Sequence, residues 1–371
     1  MKIRILHLVL TLDTGGLENG VVNIINGLDD DRFESILCCI RHKGELVERI
    51  NKPIKIHALN HYKGITYSSI KHLRNIIQTD GIDVIHTRNY EAYTFGFFAG
   101  KALSGRRLVH SEHGRDYPFN KVKMYLQYVL SLFTDDIITV SGDLKENMVR
   151  YLHINKNRIN VIINGVDTNK FTPRKPDANL LREFGISEND IVIGTVGRLV
   201  EVKNFPELIN TFKRLRQQHN NVRLMIVGDG PLMEDFLDLR RKLALEESVI
   251  LTGRRNDIPE LLRVFDVYAL TSWNEGISNT LLEAMSTGLP IVASEVGGNV
   301  EIIHHGKVGY LYPSGNQKKL LESLESLIEE NDTLDTFSKN ARAHVINNYS
   351  MEAMLNNYSI QYSQVMGIET S

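Results

Sequence analysis

VYALTSWNEGISNTLLEAMSTGLPIVAS, residues 267–294, holds two short apolar runs with a polar loop and a helical segment between them. Val267–Thr271 reads as a buried strand, being short, apolar and bounded by a polar loop. Glu275-Gly276-Ile277-Ser278-Asn279-Thr280-Leu281-Leu282-Glu283 leads into a helix that continues to about Thr287, with Ser278 or Asn279 as its N-cap. Gly288-Leu289-Pro290 then turns the chain into a second strand, Ile291–Ser294. A strand, a helix and a strand joined this tightly read as a parallel βαβ unit, so the fold class is α/β.

The rhythm extends on both sides. Ile191–Val196, Arg223–Val227 and Val249–Thr252 are further strands of this half. Asn204-Phe205-Pro206-Glu207 opens a helix with a cap residue, a proline in the first turn and a glutamate third, a capping-box arrangement. Leu208, Ile209, Phe212 and Leu215 give that helix its buried face. The first half repeats the pattern, with strands at Ile3–Leu10, Ser35–Ile40, Ile54–Ala58, Val84–His86, Arg107–Ser111, Ile137–Val140 and Asn160–Ile163. Its amphipathic segments include Leu17–Leu28, Ser68–Gln78 and Leu144–Leu152. Between the halves, Asp167–Asp190 carries Pro173 and Pro176 and little strand signal. The expected organisation is two wound parallel-sheet, Rossmann-like domains, 1–168 and 169–345, with a helical segment 346–371 packing back on the first. Such sheets hold ligands at the carboxyl ends of their strands, so the expected active site is a cleft between the domains.

Composition narrows the class. The chain has 371 residues, 42% hydrophobic and 24% charged, which excludes disorder, collagen and coiled coil. Its two cysteines, Cys38 and Cys39, are adjacent in a strand and point to opposite faces, so no disulfide framework can be built. No apolar run is long enough for a transmembrane helix, and the start lacks the pattern of a signal peptide. A cytoplasmic location is expected. The net charge of −2 divides unevenly, +5 over residues 1–170 and −7 over the remainder. A basic first half suits an anionic contact such as a membrane surface or a phosphorylated substrate. Lys121, Lys123, Arg106 and Arg107 lie near the apolar stretches Phe95-Gly96-Phe97-Phe98 and Met124-Tyr125-Leu126.

The residues with chemistry sit just after strands. Free N–H groups at the start of the helix near Ser278 suit a phosphate or an oxyanion. Glu283 lies a turn inside, and helical side chains lean back toward the N-terminus, which suits a ribose diol. Glu275, in the loop, is free to contact another part of the ligand. Arg198 closes the strand Ile191–Val196, and Lys203 stands before the cap Asn204. A guanidinium fork and an ammonium can converge on a diphosphate and neutralise it as it departs, without a metal ion. Gly15-Gly16 joins the first strand to the first helix and lacks the dinucleotide fingerprint. His113, in Ser111-Glu112-His113-Gly114-Arg115-Asp116, follows a strand. No spacing of histidine, cysteine and carboxylate suits a metal site. Gly228-Asp229-Gly230-Pro231 reads as a strand-to-helix turn.

In this order the residues resemble a glycosyltransferase of family 4, a family with the two-domain GT-B fold that retains anomeric configuration. The resemblance runs from Gly15-Gly16 through His113-Gly114, Asn164-Gly165-Val166-Asp167, Gly197-Arg198, Lys203-Asn204 and Gly228-Asp229-Gly230-Pro231 to the glutamates Glu275 and Glu283. Leu12-Asp13-Thr14-Gly15-Gly16-Leu17-Glu18-Asn19-Gly20 and His86-Thr87-Arg88-Asn89 further resemble sugar transferases of exopolysaccharide clusters. The resemblance implies that Arg198 and Lys203 hold a donor diphosphate and Glu283 the nucleotide ribose. It gives the donor sugar to Glu275 and the amides of Gly276, Ile277, Ser278, Asn279 and Thr280, with His113 over that sugar. Gly15 and Gly16 approach the phosphate, and the loop Arg254–Ile258, with Arg255 and Ile258, lines the base. The catalytic candidates are therefore His113, Arg198, Lys203 and Glu275.

No cofactor is implied, the nucleotide sugar being a substrate: a UDP-sugar first, a GDP-sugar second. The implied partners are a glycan or lipid-linked acceptor and an anionic membrane surface, not nucleic acid. The implied place is the cytoplasm, peripheral on the inner face of the membrane. Rival readings are a nicotinamide-dependent oxidoreductase, opposed by the missing fingerprint, a nucleotide-sugar epimerase, and a silent nucleotide-sugar-binding protein.

Overall fold

Thirteen apolar runs form strands in the computed structural model, which describes residues 2–13, 15–113 and 118–368. The chain divides into two units, Met1–Asn164 with Met351–Ser371, and Gly165–Ser350. The sequence reading set its boundaries at 168 and 345.

The first unit holds β1 (Ile3–Val9), β2 (Phe33–Cys39), β3 (Lys55–Ala58), β4 (Val84–Arg88), β5 (Arg107–Glu112), β6 (Asp136–Thr139) and β7 (Ile159–Val161). All pair in parallel, in the order β3-β2-β1-β4-β5-β6-β7. Ile5, Leu6, Leu8 and Val9 are inaccessible to solvent, as expected of a strand covered on both faces. The closing helix Met351–Val365 belongs to this unit. Its Met354, Tyr358 and Tyr362 pack against Ile3, Ile5, Phe33, Val84 and Val109. Cys38 and Cys39 are buried free thiols.

The second unit holds β8 (Ile191–Val196), β9 (Val222–Val227), β10 (Val249–Leu251), β11 (Val267–Leu270), β12 (Ile291–Ser294) and β13 (Gly309–Tyr312), in the order β10-β9-β8-β11-β12-β13 and again all parallel. The edge strand β13 is absent from the sequence reading. Its Gly-Tyr-Leu-Tyr run is short, and it is ordered by pairing with β12 rather than by a strong pattern of its own. The helix Phe205–Gln218 buries Leu208, Ile209, Phe212 and Leu215 completely, as its periodicity predicts. Its cap differs from the expected capping box. Asn204 occupies the N-cap position in a left-handed conformation, φ 49° and ψ 37°, and its side chain bonds no helix amide.

The stretch 167–190 is no bare linker. It contains a helix, Ala178–Glu183, capped by Asp177. The Phe171 carbonyl accepts from the Ser286 hydroxyl at 2.6 Å, and the Thr172 carbonyl from Arg263 Nε at 3.1 Å.

Candidate functional site

In each sheet the strand order reverses once, between β1 and β4 in the first unit and between β8 and β11 in the second. Loops at the carboxyl ends of strands diverge at such a reversal and leave room for a ligand. Arg198 and Lys203 follow β8, and the loop Glu275–Ser278 follows β11, so both constellations of the second unit stand at one reversal.

The helix Asn279–Ser286 starts as its sequence predicts. Ser278 is the N-cap, and its hydroxyl accepts from Leu281 N at 3.3 Å while its carbonyl accepts from Leu282 N at 3.2 Å. The Tyr268 hydroxyl, rising from β11, donates to Thr280 Oγ1 at 2.8 Å and lies 3.3 Å from the Val196 carbonyl. One buried phenol thus ties the end of β8 to the first turn of the helix.

Lys203 Nζ donates to Glu275 Oε1, and the Ser272 hydroxyl donates to the same oxygen at 2.7 Å. The side chains of this ion pair are only 20% and 10% exposed, so it is poorly screened. Glu275 is therefore joined to Lys203 rather than free, as the sequence alone suggested. Arg198 is exposed, and among the described residues it makes no ion pair and no side-chain hydrogen bond. Arg198 and the Lys203–Glu275 pair both stand at the carboxyl ends of the neighbouring strands β8 and β11.

Glu283 is half-buried, and its carboxylate receives no hydrogen bond among the described residues. Desolvation pushes it up to about 7, with Lys170 as the opposing positive charge. Such a carboxylate lacks donors, and a ligand's hydroxyls can supply them.

Arg255 and Ile258 sit differently. Arg255 grips Asp257 through both Nε and Nη2, at 2.9 and 2.7 Å, and reaches Glu183 Oε1 at 2.6 Å. Its guanidinium also lies 5.4 Å from the centre of the Phe184 ring. This network anchors the loop to the helix Ala178–Glu183 and commits the arginine to protein partners. Ile258 is the first residue of the short helix Ile258–Leu262.

Two glycine loops were not recognised as part of the site. At Gly297, φ is +46° and a Cβ would lie 1.8 Å from the Glu275 carbonyl oxygen; at Gly298 one would lie 1.8 Å from that of Gly276. Gly298 N–H donates to the Glu275 carbonyl at 3.1 Å. The glycine pair in the loop after β12 was the available signal. Likewise Gly228, read as a simple turn, has φ +141° and leaves no room for a Cβ, which would stand 1.9 Å from the Gly197 carbonyl.

In the first unit Gly15 is the N-cap of the helix Gly16–Gly27 after β1. The Glu18 carboxylate folds back over it, so a Cβ on Gly15 would meet Glu18 Oε2 at 2.1 Å. Burial raises the Glu18 carboxyl, its own backbone N–H counters this, and Asp13 raises it further. His113 directly follows β5. Its Nε2 is buried and among the described residues makes no hydrogen bond, and burial followed by the Arg88 charge lowers the ring to about 3. It is a neutral imidazole. Thr14, Gly114, Arg115 and Asp116 lie outside the described residues.

Arg88 is fully buried at the end of β4. It lies 3.4 Å from His7 Nδ1 and 3.2 Å from His86 Nδ1, while His86 Nε2 meets the Ser111 hydroxyl and its Nδ1 the Tyr362 hydroxyl, at 2.5 and 2.6 Å. Of the apolar stretches flanked by basic residues, Phe95 is core, whereas Phe98 and Tyr125 are exposed by 38% and 70%; Val122, between the two lysines, is exposed by 77%. Lys121 and Lys123 share the helix Lys121–Ser131 with Val122 and Tyr125. Arg107 pairs with Asp135 at 3.1 Å. Among the described residues no helix is long and apolar enough to cross a membrane.

The model of Glycosyltransferase Family 4 matches residues 14–170, and that of Glycosyl transferases group 1 matches residues 177–344. The chain is 27% identical over 367 residues, 94% of each protein, to the UDP-Gal:alpha-D-GlcNAc-diphosphoundecaprenol alpha-1,3-galactosyltransferase of Escherichia coli. It is 25% identical over 299 residues to N-acetyl-alpha-D-glucosaminyl L-malate synthase of Bacillus anthracis, covering 79% of this chain and 78% of that one. Among solved structures, Anabaena HepE in complex with UDP matches with a TM-score of 0.86 at 23% identity, over 98% of this chain and 100% of that one. A glycosyltransferase from Rickettsia africae matches with a TM-score of 0.87 at 21% identity, over 98% and 99%.

Two parallel-sheet units of these strand orders have the GT-B fold of the solved glycosyltransferases they match. The chain belongs to glycosyltransferase family 4, its two halves carrying that family's domain and the group 1 domain in turn. The matches lend nothing to the oxidoreductase, epimerase or silent-binding readings.

Proposed function

We propose that the protein is a retaining, metal-independent transferase that moves a sugar from a UDP-sugar to a glycan or lipid-linked acceptor in the synthesis of exopolysaccharide or another cell-surface glycan. The observation that carries this is the charge arrangement at the β8–β11 reversal, where unpaired Arg198 stands with the Lys203–Glu275 pair. Glycosyl transfer builds negative charge on the departing diphosphate, and preorganised cations with helix amides stabilise it. Arg198 and Lys203 supply the cations, and the first turn after Ser278, with the backbone of Gly276 and Ile277, supplies amides. When the diphosphate takes Lys203, the Glu275 carboxylate becomes available to the sugar hydroxyls. Glu283 accepts from the ribose diol. His113, held neutral, offers the sugar a hydrogen bond instead of a charge. Gly15 and Gly16 allow the backbone to approach the phosphate.

The choice of uracil is supported by the UDP in Anabaena HepE and by the UDP-Gal in the name of the Escherichia coli relative. That relative's diphosphoundecaprenol acceptor supports a lipid-linked acceptor here, as does the pairing of exposed Val122 and Tyr125 with Lys121 and Lys123. Apolar side chains beside ammonium groups suit peripheral contact with anionic lipid on the cytoplasmic face.

The test is thermal stabilisation by UDP-, GDP- and ADP-sugars in EDTA, followed by product analysis and NMR of the anomeric configuration. Stabilisation that needs Mg²⁺, an inverted product, or isomerised sugar without transfer would each refute its part of the proposal.

A further inference from the structure

Lys203 is held in place by a buried network around its neighbour Asn204. It precedes Asn204, whose left-handed backbone, φ 49° and ψ 37°, is uncommon for any residue but glycine and asparagine. Asn204 is 9% exposed, and its Nδ2 donates to Glu207 Oε2 at 2.5 Å. Glu207, 4% exposed, makes no ion pair among the described residues, and burial raises its carboxyl. The Tyr312 phenol of β13 and the Gly315 N–H face that carboxyl. The backbone is fixed too. The Thr271 hydroxyl lies 3.0 Å from the Lys203 carbonyl and 3.2 Å from that of Asn204, and Trp273 N–H donates to the Val202 carbonyl at 2.8 Å. Every backbone group from Val202 to Asn204 named here is tied to the loop that follows β11, and the side chain of Asn204 is tied to a buried acid.

A helix glutamate three residues past the cap ordinarily bonds the helix's own amides. Here it accepts from the Asn204 side chain instead, while Asn204 holds a left-handed conformation. Non-glycine residues held in that region by their surroundings cluster at functional sites. The neighbour of Asn204 is Lys203, paired with Glu275.

We propose that Glu207, through Asn204, is a positioning residue that sets the direction of the Lys203 ammonium toward Glu275 and the donor diphosphate. This rests on the proposed function for its catalytic consequence only. The link between Glu207 and Lys203 can be read without turnover.

The experiment compares the full-length protein with Glu207→Gln, Glu207→Ala and Asn204→Gly. Reaction of Lys203 with an amine-acylating reagent is followed by mass spectrometry, with exposed Lys242 as the internal control. Transfer kinetics and UDP affinity are measured on the same samples at a temperature where circular dichroism shows all four folded. Glu207→Gln keeps an acceptor for Asn204 and should retain wild-type labelling and turnover. Glu207→Ala should raise Lys203 labelling several-fold relative to Lys242 and lower kcat by roughly 10- to 100-fold, the cost of a misaimed group, with UDP affinity changed far less. Asn204→Gly preserves the left-handed backbone and should give the same labelling change. Unaltered Lys203 labelling in Glu207→Ala overturns the proposal, as does a Gln variant as impaired as the Ala variant. Altered labelling in a protein that transfers no sugar would uphold the positioning role and refute the reading of the reaction.

Discussion

Replacing Glu283 by glutamine should alter two measurements in linked ways. Burial carries the Glu283 carboxyl from an ordinary 4.5 to about 7. A carboxyl whose folded value is raised releases its proton later in the folded chain than in the unfolded one, so its cost is absent below about 4.5, grows with rising pH and is complete above about 7. That difference corresponds to at most about 3.4 kcal/mol, and the partial exposure of the side chain brings the expectation to roughly 1–2 kcal/mol. Glu283→Gln should therefore melt above the wild type at pH 8 and converge with it at pH 5. Donor affinity should move the other way. A ribose diol donates hydrogen bonds, which only the ionised carboxylate accepts at both oxygens. If that form alone binds, UDP-sugar affinity in the wild type should fall about tenfold between pH 8 and pH 6, the change in ionised fraction for a group of pKa about 7. In the Gln variant affinity should be weaker and flat. Calorimetry of UDP-sugar binding at three pH values, with melts of both proteins, tests the pair. A pH-independent wild type, or a Gln variant no more stable at pH 8, would refute the placement of Glu283 as a desolvated ribose ligand.

Lys203→Ala should lower turnover by about 10²-fold, as loss of a charge stabiliser does, with EDTA without effect on the wild type; near-normal turnover would reduce Lys203 to a structural partner of Glu275. His7, His86 and His113 are all held below the ordinary histidine value, first by burial and then by Arg88, so the unfolded chain takes up more protons as pH falls. Acidification from pH 7.5 to 5.5 should therefore destabilise the first unit, by about 1.4 kcal/mol for His113 alone, with His7 and His86 acting in the same direction and the raised carboxyls Glu18 and Asp136 in the opposite one. An NMR titration of His86 with a midpoint near 6.5 in the folded protein would contradict it. Gly298→Ala places a methyl 1.8 Å from the Gly276 carbonyl and should displace the Glu275 loop and abolish transfer; wild-type kinetics would show that the loop yields freely. Charge reversal at Lys121 and Lys123 should weaken flotation on anionic liposomes at low salt and leave nucleotide binding intact, and a wild type that never floats favours a soluble acceptor.

Much of the architecture is legible along the chain because it is local. Strands covered on both faces are nearly continuous apolar runs, and Ile191–Val196 and Ile291–Ser294 have the same ends in sequence and structure. Ser278 caps its helix because a hydroxyl at that point can reach the third amide, a relation contained in four residues. The ligand-facing loops follow from the strands, since βα loops gather at carboxyl ends whatever the strand order. Asn204 shows where local reading stops. Its sequence has every mark of a capping box, yet the buried Glu207 captures its side chain and the backbone turns left-handed.

By itself the sequence determined an α/β chain of wound parallel sheets, the identity of its charged loops and the family they resemble. Only the tertiary structure decided that Lys203 and Glu275, 72 positions apart, share a proton-donating contact, because that depends on β8 and β11 being neighbours in the sheet. It also decided that Arg255 is taken by Glu183 and Asp257, that Glu283 is desolvated to about 7, and that Tyr362 meets His86 across 276 positions. The physical reason is common to all four. Hydrogen bonds and desolvation depend on which atoms surround a group in space, and hydrophobic periodicity, which sets each strand and helix, carries no information about which distant strand will lie beside it.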